Sequence, residues 1–484
     1  MASRPKSFIM ITSDEMRGDC PGFMGNPDCR TPALDAFAQR SVVFTNHFTV
    51  HGKCVPSRVA LVTGRYCHTD GFRTITQLLP NDQPDLGSTL RRRGYETAVF
   101  GVNHTWENFW GDNSKSSGFV DYTSYTHGVF RDIQDRRRPV QQPGPDSVKP
   151  LDLPEQYFEY GGRIVEPLTG FVDDARSEQA VEYVTRVRDR SRPFFMQVNI
   201  GAPHPDYRVE EPYYSMYDRG RTRAWPHELP ENAPLHLRKM REIRTGSATS
   251  DAVFREIQAV YYGMITKVDV LMKPMLDAIE QEGLLEDTIV LFTVDHGDFA
   301  GQYGLIEKWD TAMNDCILHV PMVLWAPGLP HGLRVESFSE HTDIAPTILD
   351  LLGIEPDWGI HGRSLLPILR GEDRKDAVFA DGGHEDALCQ RIRSRTGGSG
   401  KQQTYQWCPD TMARTKMVRT DTWKLVMRLR GGNELYDLVN DPYELHNLWG
   451  RPDLAPVVLD LQQRLIEWCL RTDTDRPYQA DFGA

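Results

Sequence analysis

The sequence predicts an α/β fold, in which a large mixed, mostly parallel sheet is flanked by helices and followed by a smaller C-terminal α+β domain. The first observation is that short apolar segments alternate with amphipathic ones over residues 1–370, as in sheets with helices on both faces. The second is a change of pattern from about Gly371. We therefore expect a large domain at 1–370 and a second one at 371–484, with a small antiparallel sheet and a terminal helix.

Five short apolar segments are the predicted strands of the large sheet, and polar residues follow four of them. The segments are residues 8–12, 98–101, 194–200, 288–293 and 320–325. The polar clusters are Ser13-Asp14-Glu15, Asn103-His104, Pro203-His204-Pro205 and Asp295-His296-Gly297. Because ligands bind at the carboxyl ends of strands in open sheets, these clusters should converge on one crevice.

Amphipathic segments between the strands are the predicted helices. They cover residues 31–41, 86–93, 173–190, 250–281 and 344–352. Pro32 suits a first-turn position in the first helix, and Gly353 ends the last one. In the C-terminal domain we expect strands at 418–430 and 434–438 and a helix at 454–471. Two long irregular segments, 131–154 and 205–248, are expected to be surface insertions.

Composition and charge narrow the classes of function. The chain has 484 residues, of which 39% are apolar and 25% charged, a balance typical of a soluble globular protein. Its net charge of −13 argues against binding of nucleic acid or of an anionic membrane, since both need a basic surface. A small anionic substrate is not excluded, because one local cationic pocket is enough to bind it.

Neither a membrane span nor a disulfide framework is expected. No stretch of about 18 apolar residues occurs, and the apolar run at residues 8–11 is too short for the core of a signal peptide. We therefore expect a cytoplasmic protein. The eight cysteines are dispersed and form no Cys-x-x-Cys pair, so most should be reduced thiols.

The most informative stretch is CVPSR at residues 54–58, which continues to TGR at 63–65. A helix that begins at Cys54 would present free amides and the positive end of its dipole, and both favour an anionic group. Arg58 lies one turn further and can point to the same place. The residues alone leave two interpretations open: a reactive cysteine beside an oxyanion, or a buried structural cysteine at a helix start.

This stretch resembles the signature of type I sulfatases, which belong to the alkaline phosphatase superfamily together with phosphonate monoester hydrolases. In that family the cysteine is converted after translation to formylglycine, whose hydrate is the nucleophile. The resemblance covers nearly the whole chain. Further matching segments are TPALD at 31–35, TVDHG at 293–297, HVP at 319–321, GRSL at 362–365 and ELYD at 434–437.

The resemblance implies a metal site and a set of catalytic residues. The implied metal ligands are Asp14, Glu15, residue Cys54 as formylglycine, Asp295 and His296. The implied catalytic residues are Cys54, Arg58, His104, His204 and Lys308. Oxygen-rich donors suit Ca²⁺ or Mg²⁺ and a mixed carboxylate–imidazole set admits Mn²⁺, so we expect one divalent ion, with Ca²⁺ as the first choice. Glu15 departs from the family, which usually has aspartate there and sometimes glutamine.

Two histidines and a lysine carry implied proton-transfer roles. His204 lies in APHP at 202–205, which resembles the family's Pro-His-x-Pro, and suits a general acid for the leaving oxygen. Lys308 would neutralise the same oxygen. His104 lies in GVNH at 101–104, which resembles Gly-Lys-x-His; in the family that histidine removes a proton from the formylglycine hydroxyl. Val102 replaces the family's lysine, so one expected cation is missing from the sulfate site.

The sequence therefore predicts a sulfatase that hydrolyses sulfate monoesters through a metal-bound formylglycine made from Cys54. Two alternatives stay open: a phosphonate monoester hydrolase or phosphodiesterase on the same scaffold, and a non-catalytic anion-binding relative. The expected partners are a small anionic ester, such as a sulfated sugar or an aryl sulfate, and the maturation system that makes formylglycine. Neither nucleic acid nor a membrane is an expected partner, and the sequence leaves the oligomeric state open.

Overall fold

The computed structural model describes residues 5–75, 77–80, 82–106, 122–123, 147–148, 160–164, 172–222, 224–245, 250–385 and 408–473. The strands are β1 (Ser7–Ser13), β2 (Val42–Phe44), β3 (His47–Phe48), β4 (Glu96–Gly101), β5 (Tyr122–Thr123), β6 (Ser147–Val148), β7 (Tyr160–Ile164), β8 (Phe194–Ile200), β9 (Tyr207–Glu210), β10 (Thr288–Val294), β11 (Met322–Trp325), β12 (Arg334–Val335), β13 (Ser339–Glu340), β14 (Ala377–Gly382), β15 (Thr415–Thr420), β16 (Trp423–Arg428) and β17 (Glu434–Asp437). The α-helices are Pro32–Gln39, Cys54–Thr63, Cys67–Asp70, Leu86–Arg92, Val172–Glu182, Leu235–Met240, Asp251–Gln281, Asp315–Leu318, Ile344–Leu352, Leu366–Leu369 and Ala455–Thr472.

An eight-stranded sheet forms the centre of the larger part of the chain, in the order β12-β2-β11-β10-β1-β8-β4-β5. β1 pairs in parallel with β10 on one side and with β8 on the other, and β8 pairs in parallel with β4. β11 runs antiparallel to both of its neighbours, which makes the sheet mixed. The predicted α/β fold with a large, mostly parallel sheet is therefore confirmed.

Helices cover both faces of this sheet. Successive residues of β1 point to opposite faces, as in any strand. Ile9 belongs to the core that contains the long helix Asp251–Gln281, whereas Phe8 belongs to the core that contains the helices Cys54–Thr63 and Ile344–Leu352. A parallel strand buried on both faces consists almost entirely of apolar residues, which is why the first predicted strand was so clear in the sequence.

The C-terminal part has a four-stranded antiparallel sheet in the order β14-β15-β16-β17 and the terminal helix Ala455–Thr472 packed against it. The prediction of one strand at 418–430 is wrong, because the chain turns at Asp421 and Thr422 and so forms the two paired strands β15 and β16. The other face of this sheet packs against the segment around Trp309 and Met313. The C-terminal sheet therefore supports the chain next to Lys308.

The two predicted insertions have different outcomes. Residues 131–154 lie outside the described residues apart from β6. The segment at 205–248 is less irregular than expected, because β9 pairs with β7 and the helix Leu235–Met240 follows. Within the described ranges, no helix is both long enough and apolar enough to cross a membrane.

Candidate active site

Four neighbouring strand ends supply the candidate site. β10, β1, β8 and β4 lie side by side and lead into the polar segments at 295–297, 13–15, 203–205 and 103–104. In the parallel register Ser13 lies beside Val294 of β10 and beside Ile200 of β8, so the segments that follow meet at one edge of the sheet. The structure thus brings the polar clusters together at the carboxyl ends of the strands.

Cys54 is the first residue of a helix that is buried along its whole length. Its Sγ lies 3.2 Å from His296 Nε2 and 3.6 Å from Asp14 Oδ1. The ligand atoms of Asp14, Cys54, Asp295 and His296 all lie within 4.8 Å of one another. These four buried residues therefore form one donor set that can hold a cation.

The orientation of His296 suits a metal ligand. Its Nδ1 lies 3.0 Å from the carbonyl oxygen of Gly297. Because a carbonyl only accepts, Nδ1 carries the proton and Nε2 keeps a lone pair that faces Cys54 Sγ. Residue 297 must be glycine for its main chain to come this close to Cys316, since a Cβ at that position would lie 2.0 Å from the Cys316 carbonyl oxygen.

The guanidinium of Arg58 holds the two carboxylates of the donor set. Nε donates to Asp295 Oδ2 at 2.9 Å, and Nη2 donates to Asp14 Oδ2 at 3.2 Å. Burial opposes the ionisation of Asp14, but Arg58 and the nearby groups His204 and Lys308 hold the pKa of this carboxyl well below its usual range. Asp14 is therefore an anionic donor at neutral pH.

Ser57 connects the helix of Cys54 to the end of β10. Its Oγ donates to the carbonyl oxygen of Asp295 at 2.5 Å and also lies 3.0 Å from His341 Nδ1. Since the serine proton is already used, Nδ1–H of His341 donates to Oγ. Burial lowers the pKa of His341 to about 3, so this imidazole is neutral. The sequence analysis did not single out His341, which lies 284 positions from Ser57.

Lys308, Glu15 and His204 form a second cluster beside the donor set. Lys308 Nζ contacts Glu15 Oε2 and lies 2.7 Å from His204 Nε2. His204 Nδ1 lies 2.5 Å from the carbonyl oxygen of Pro205, so Nδ1 carries the proton and Nε2 accepts from Lys308. Lys308 and Glu15 are buried, whereas 31% of the His204 side chain is exposed.

The position of Glu15 differs from the simple expectation of a metal ligand. Its carboxylate lies against Lys308 and is not part of the set formed by Asp14, Cys54, Asp295 and His296. It does lie in a second group, in which its ligand atom and those of Asp14 and His204 are within 4.8 Å of one another. Glu15 thus lies at the boundary between the donor set and the Lys308–His204 pair.

His104 and Val102 follow β4. His104 Nδ1 lies 3.8 Å from Asp14 Oδ2, and about a third of its side chain is exposed. Asn199 holds the half-buried Val102 through its main chain: Val102 N–H donates to the Asn199 carbonyl oxygen at 3.3 Å, and Asn199 Nδ2 donates to the Val102 carbonyl oxygen at 2.8 Å. Gly101 allows this approach, because a Cβ there would lie 2.0 Å from the same Asn199 oxygen.

Asn199 and Thr12 are further residues that the sequence analysis missed. Asn199 Oδ1 accepts from Thr12 Oγ1 at 2.6 Å and from Arg58 Nη1 at 3.0 Å. Both residues are fully buried near the ends of strands that are mostly apolar. A polar residue in such a place needs a hydrogen-bond partner, and that was the available signal.

Comparison with known proteins shows which proteins this chain and its fold are similar to. A family model described as sulfatase matches residues 6–354. The chain is 27% identical to the multifunctional alkaline phosphatase superfamily protein PehA of Trinickia caryophylli, over 96% of this chain and 95% of that protein. It is 26% identical to an ulvan-active sulfatase of Formosa agariphila, over 95% of this chain and 80% of that protein.

Solved structures share the fold. The phosphonate monoester hydrolase of Agrobacterium radiobacter has a TM-score of 0.74 at 24% identity, covering 97% of this chain and 96% of that chain. A protein solved in complex with its substrate D-glucosamine-2-N,6-O-disulfate has a TM-score of 0.73 at 21% identity, covering 99% of this chain and 100% of that chain. These likenesses concern the whole architecture, including the C-terminal part.

Proposed function

Because this chain belongs to the sulfatase family, we propose that it is a sulfuric ester hydrolase whose nucleophile is formylglycine derived from Cys54. One observation carries this proposal: Cys54 lies at the head of a buried helix, inside a donor set for a cation, and Asp14 of that set adjoins the Lys308–His204 cluster. Hydrolysis of a sulfate ester needs a nucleophile, positive charge at the ester oxygens and a proton for the leaving oxygen. This arrangement can supply all three.

The donor set fits one divalent cation, for which we favour Ca²⁺, with Mg²⁺ and Mn²⁺ as alternatives. Arg58 occupies Oδ2 of both Asp14 and Asp295. The remaining Oδ1 atoms each lie 3.9 Å from His296 Nε2, so they face the same space. A cation bound there would polarise the ester oxygens and lower the pKa of the attacking hydroxyl.

His204 and Lys308 are the proposed proton donors for the leaving oxygen. Lys308 donates to His204 Nε2, so a proton lies between the two nitrogens and can reach a departing alkoxide from either of them. Although burial disfavours a charged lysine, Glu15 and other nearby anions raise the pKa of Lys308 well above its usual value. His104, beside Asp14 and partly exposed, is the proposed base that takes the proton from the formylglycine hydroxyl.

Formylglycine is made from cysteine by modification, so activity would depend on a maturation system that acts on Cys54. The stretch CVPSR at 54–58 is the sequence that such a system would have to recognise. A chain in which Cys54 stays a thiol would keep the donor set but lose the proposed nucleophile. The state of residue 54 must therefore be measured in every activity experiment.

We favour a sulfated sugar as the substrate class. The support is that one relative is an ulvan-active sulfatase and that one neighbour of the same fold was solved with a disulfated glucosamine as its substrate. The second candidate is hydrolysis of phosphonate monoesters or phosphodiesters. It is favoured by the similarity to a phosphonate monoester hydrolase. Val102 does not separate the two candidates, because a sulfate ester and a phosphodiester each carry one negative charge.

Parallel rate measurements on an aryl sulfate, a phosphonate monoester and a phosphodiester test the proposal. The protein should carry formylglycine at residue 54 and a defined metal, and Cys54→Ala is the control that should lose all three activities. A higher kcat/KM for the sulfate supports the sulfatase. A preference for either phosphorus ester of more than about tenfold, about 1.4 kcal/mol in the barrier, would replace it with the second candidate.

A further inference from the structure

Glu307 is a buried carboxylate beside the site to which the mechanism above gives no role. Its side chain is 1% exposed, and it directly precedes Lys308 in the chain. One carboxylate oxygen, Oε1, lies 3.5 Å from Lys308 Nζ. The other, Oε2, accepts a hydrogen bond of 2.5 Å from Arg244 Nη1. Glu307 thus bridges the proposed proton donor and a second buried cation.

Main-chain hydrogen bonds also hold Glu307 in place. Its φ of +61° lies in the left-handed region, which residues other than glycine rarely adopt. Its N–H donates to Tyr207 Oη at 2.9 Å, and its carbonyl oxygen accepts from the N–H of Phe299 at 3.0 Å. A non-glycine residue persists in such a conformation only where its surroundings hold it there. The carboxylate therefore has a defined position from which to act on Lys308.

Arg244 is buried beside the same segment of the chain. Its side chain is 5% exposed, and its guanidinium carbon lies 5.4 Å from the ring centroid of Trp309. A buried guanidinium that donates to one oxygen of Glu307 leaves the other oxygen directed to Lys308. This arrangement makes Arg244 the residue that sets where the carboxylate points.

We infer that Glu307 is a positioning residue for Lys308, and that Arg244 anchors it. The ammonium of Lys308 lies between Glu15, on the side of the donor set, and Glu307. Glu15 Oε2 also lies 3.5 Å from His204 Nε2, so both carboxylates hold the ammonium beside that imidazole. Without the charge of Glu307, Lys308 Nζ loses one of the two anions that fix its position relative to His204 and the leaving oxygen. This inference rests on the proposed function, because it assigns how the proton-donating pair of that reaction is held.

Glu307→Gln tests the inference, because it removes the charge and keeps the size. Proton donation matters most for a poor leaving group, so the variant should lower kcat/KM about tenfold or more for an alkyl or sugar sulfate. For an aryl sulfate with an acidic phenol the decrease should stay below about threefold. Glu307→Asp, which keeps the charge, should restore part of the loss. A residue with a merely structural role would affect both esters equally.

A matched control comes from the C-terminal sheet. Glu434 is equally buried and forms an ion pair of 2.6 Å with Arg428, remote from the donor set in the chain. Glu434→Gln should lower the free energy of unfolding and leave the ratio of the kcat/KM values for the two esters unchanged. An equal loss for both esters in Glu307→Gln, or no loss, would overturn the inference. If Glu307→Gln does not fold, Arg244→Gln decides the question, since it should change the ratio in the same direction.

The ¹⁵N NMR signals of His204 give a readout that does not depend on turnover. In the wild type we expect a protonated Nδ1 and an Nε2 that accepts from Lys308, and a His204→Gln variant identifies the signals. In Glu307→Gln the Nε2 signal should shift toward that of an imidazole without this donor, and an unchanged signal would contradict the inference. If the wild type hydrolyses phosphonates and not sulfates, the proposed function is wrong. The role of Glu307 can still be tested in that case, by the Nε2 signal of His204 and by comparing phosphonate monoesters with good and poor leaving groups.

Discussion

Replacing Asp295 by asparagine removes a negative charge at the centre of the candidate site and keeps the size of the side chain, so it tests the role of the charge. The carboxylate accepts from Arg58 Nε at Oδ2, at 2.9 Å, and from the N–H groups of Glu15 and His296 at Oδ1, at 3.0 and 2.9 Å. An asparagine has one accepting oxygen and one donating nitrogen. Whichever way the amide turns, its NH₂ group meets either the Arg58 N–H or the two main-chain N–H groups.

The cost of this substitution follows from the same contacts. Arg58 is 1% exposed and Asp295 is 0% exposed, and breaking a buried ion pair by removing one partner costs about 3–5 kcal/mol. Since Arg58 keeps Asp14 as a partner, we expect a decrease of about 3 kcal/mol in the free energy of unfolding of the metal-free protein. The variant should also lose the bound cation, because one of the two anionic ligands of the donor set is gone.

Urea unfolding of the metal-free protein and metal content after equilibration with Ca²⁺ measure these two effects. The matched control is Asp298→Asn. Asp298 is equally buried, and its bonds come from Tyr207 Oη and the N–H of Ala300. Burial raises the pKa of Asp298 to about 6, so this carboxyl loses little when it is replaced by a neutral amide. The Tyr207 hydroxyl can accept from the amide NH₂ group as well as donate, so Asp298→Asn should lower the free energy of unfolding by only about 1 kcal/mol. If Asp295→Asn is as stable as the control, or keeps the cation, the reasoning about the buried charges is refuted.

Four further predictions concern the nucleophile, the metal, pH and charge. Peptide mass spectrometry of active protein should find formylglycine at position 54, and fully active protein with only a thiol there would contradict this. Cys54→Ala should lower turnover by orders of magnitude while the fold stays largely intact. Chelation should abolish activity, and Ca²⁺ should restore it. Burial lowers the pKa of His341 to about 3, so between pH 6.5 and 3 only the unfolded state binds a proton at this side chain. The free energy of unfolding should therefore fall by up to about 1.4 kcal/mol per pH unit as the pH drops through that range. Denaturation curves of His341→Asn should show a smaller dependence on pH. Val102→Lys should raise the affinity for anions and its salt sensitivity in binding assays, and no change would mean that residue 102 faces away from the pocket.

Much of the fold was predictable, because buried parallel strands and amphipathic helices have local patterns. The bounds of Phe194–Ile200 and Ile344–Leu352 agree with the sequence analysis. The break at 421–422 was missed because an Asp-Thr pair carries no glycine or proline to mark the turn between β15 and β16. The antiparallel direction of β11 had no local signal either, since strand direction depends on how distant segments pair.

The residues of the candidate site also fall into two groups, those that a local sequence motif identifies and those that it does not. Cys54 and Arg58 lie within one short stretch, so a motif can identify them. The residues that hold them come from remote parts of the chain: Asn199 lies 187 positions from Thr12, and His341 lies 284 positions from Ser57. Such partners become apparent only when the strands are assembled, because a single buried polar residue does not indicate which group it bonds.

The charges of the assembled site bear on the substrate more directly than any single residue does. Among the described residues, the buried ion pairs around Cys54 and Lys308 join the carboxylates of Asp14, Glu15, Asp295 and Glu307 to the cations of Arg58, Arg244 and Lys308. With every group ionised, this set carries one net negative charge, and a divalent cation would turn it into one net positive charge. A monoanionic ester would then balance the charge of this ion-paired set, whereas a dianion would bring in one further negative charge, which is costly in a buried space. Since a lysine at position 102 would balance that second charge, Val102 favours sulfate esters, phosphonate monoesters and phosphodiesters over phosphate monoesters.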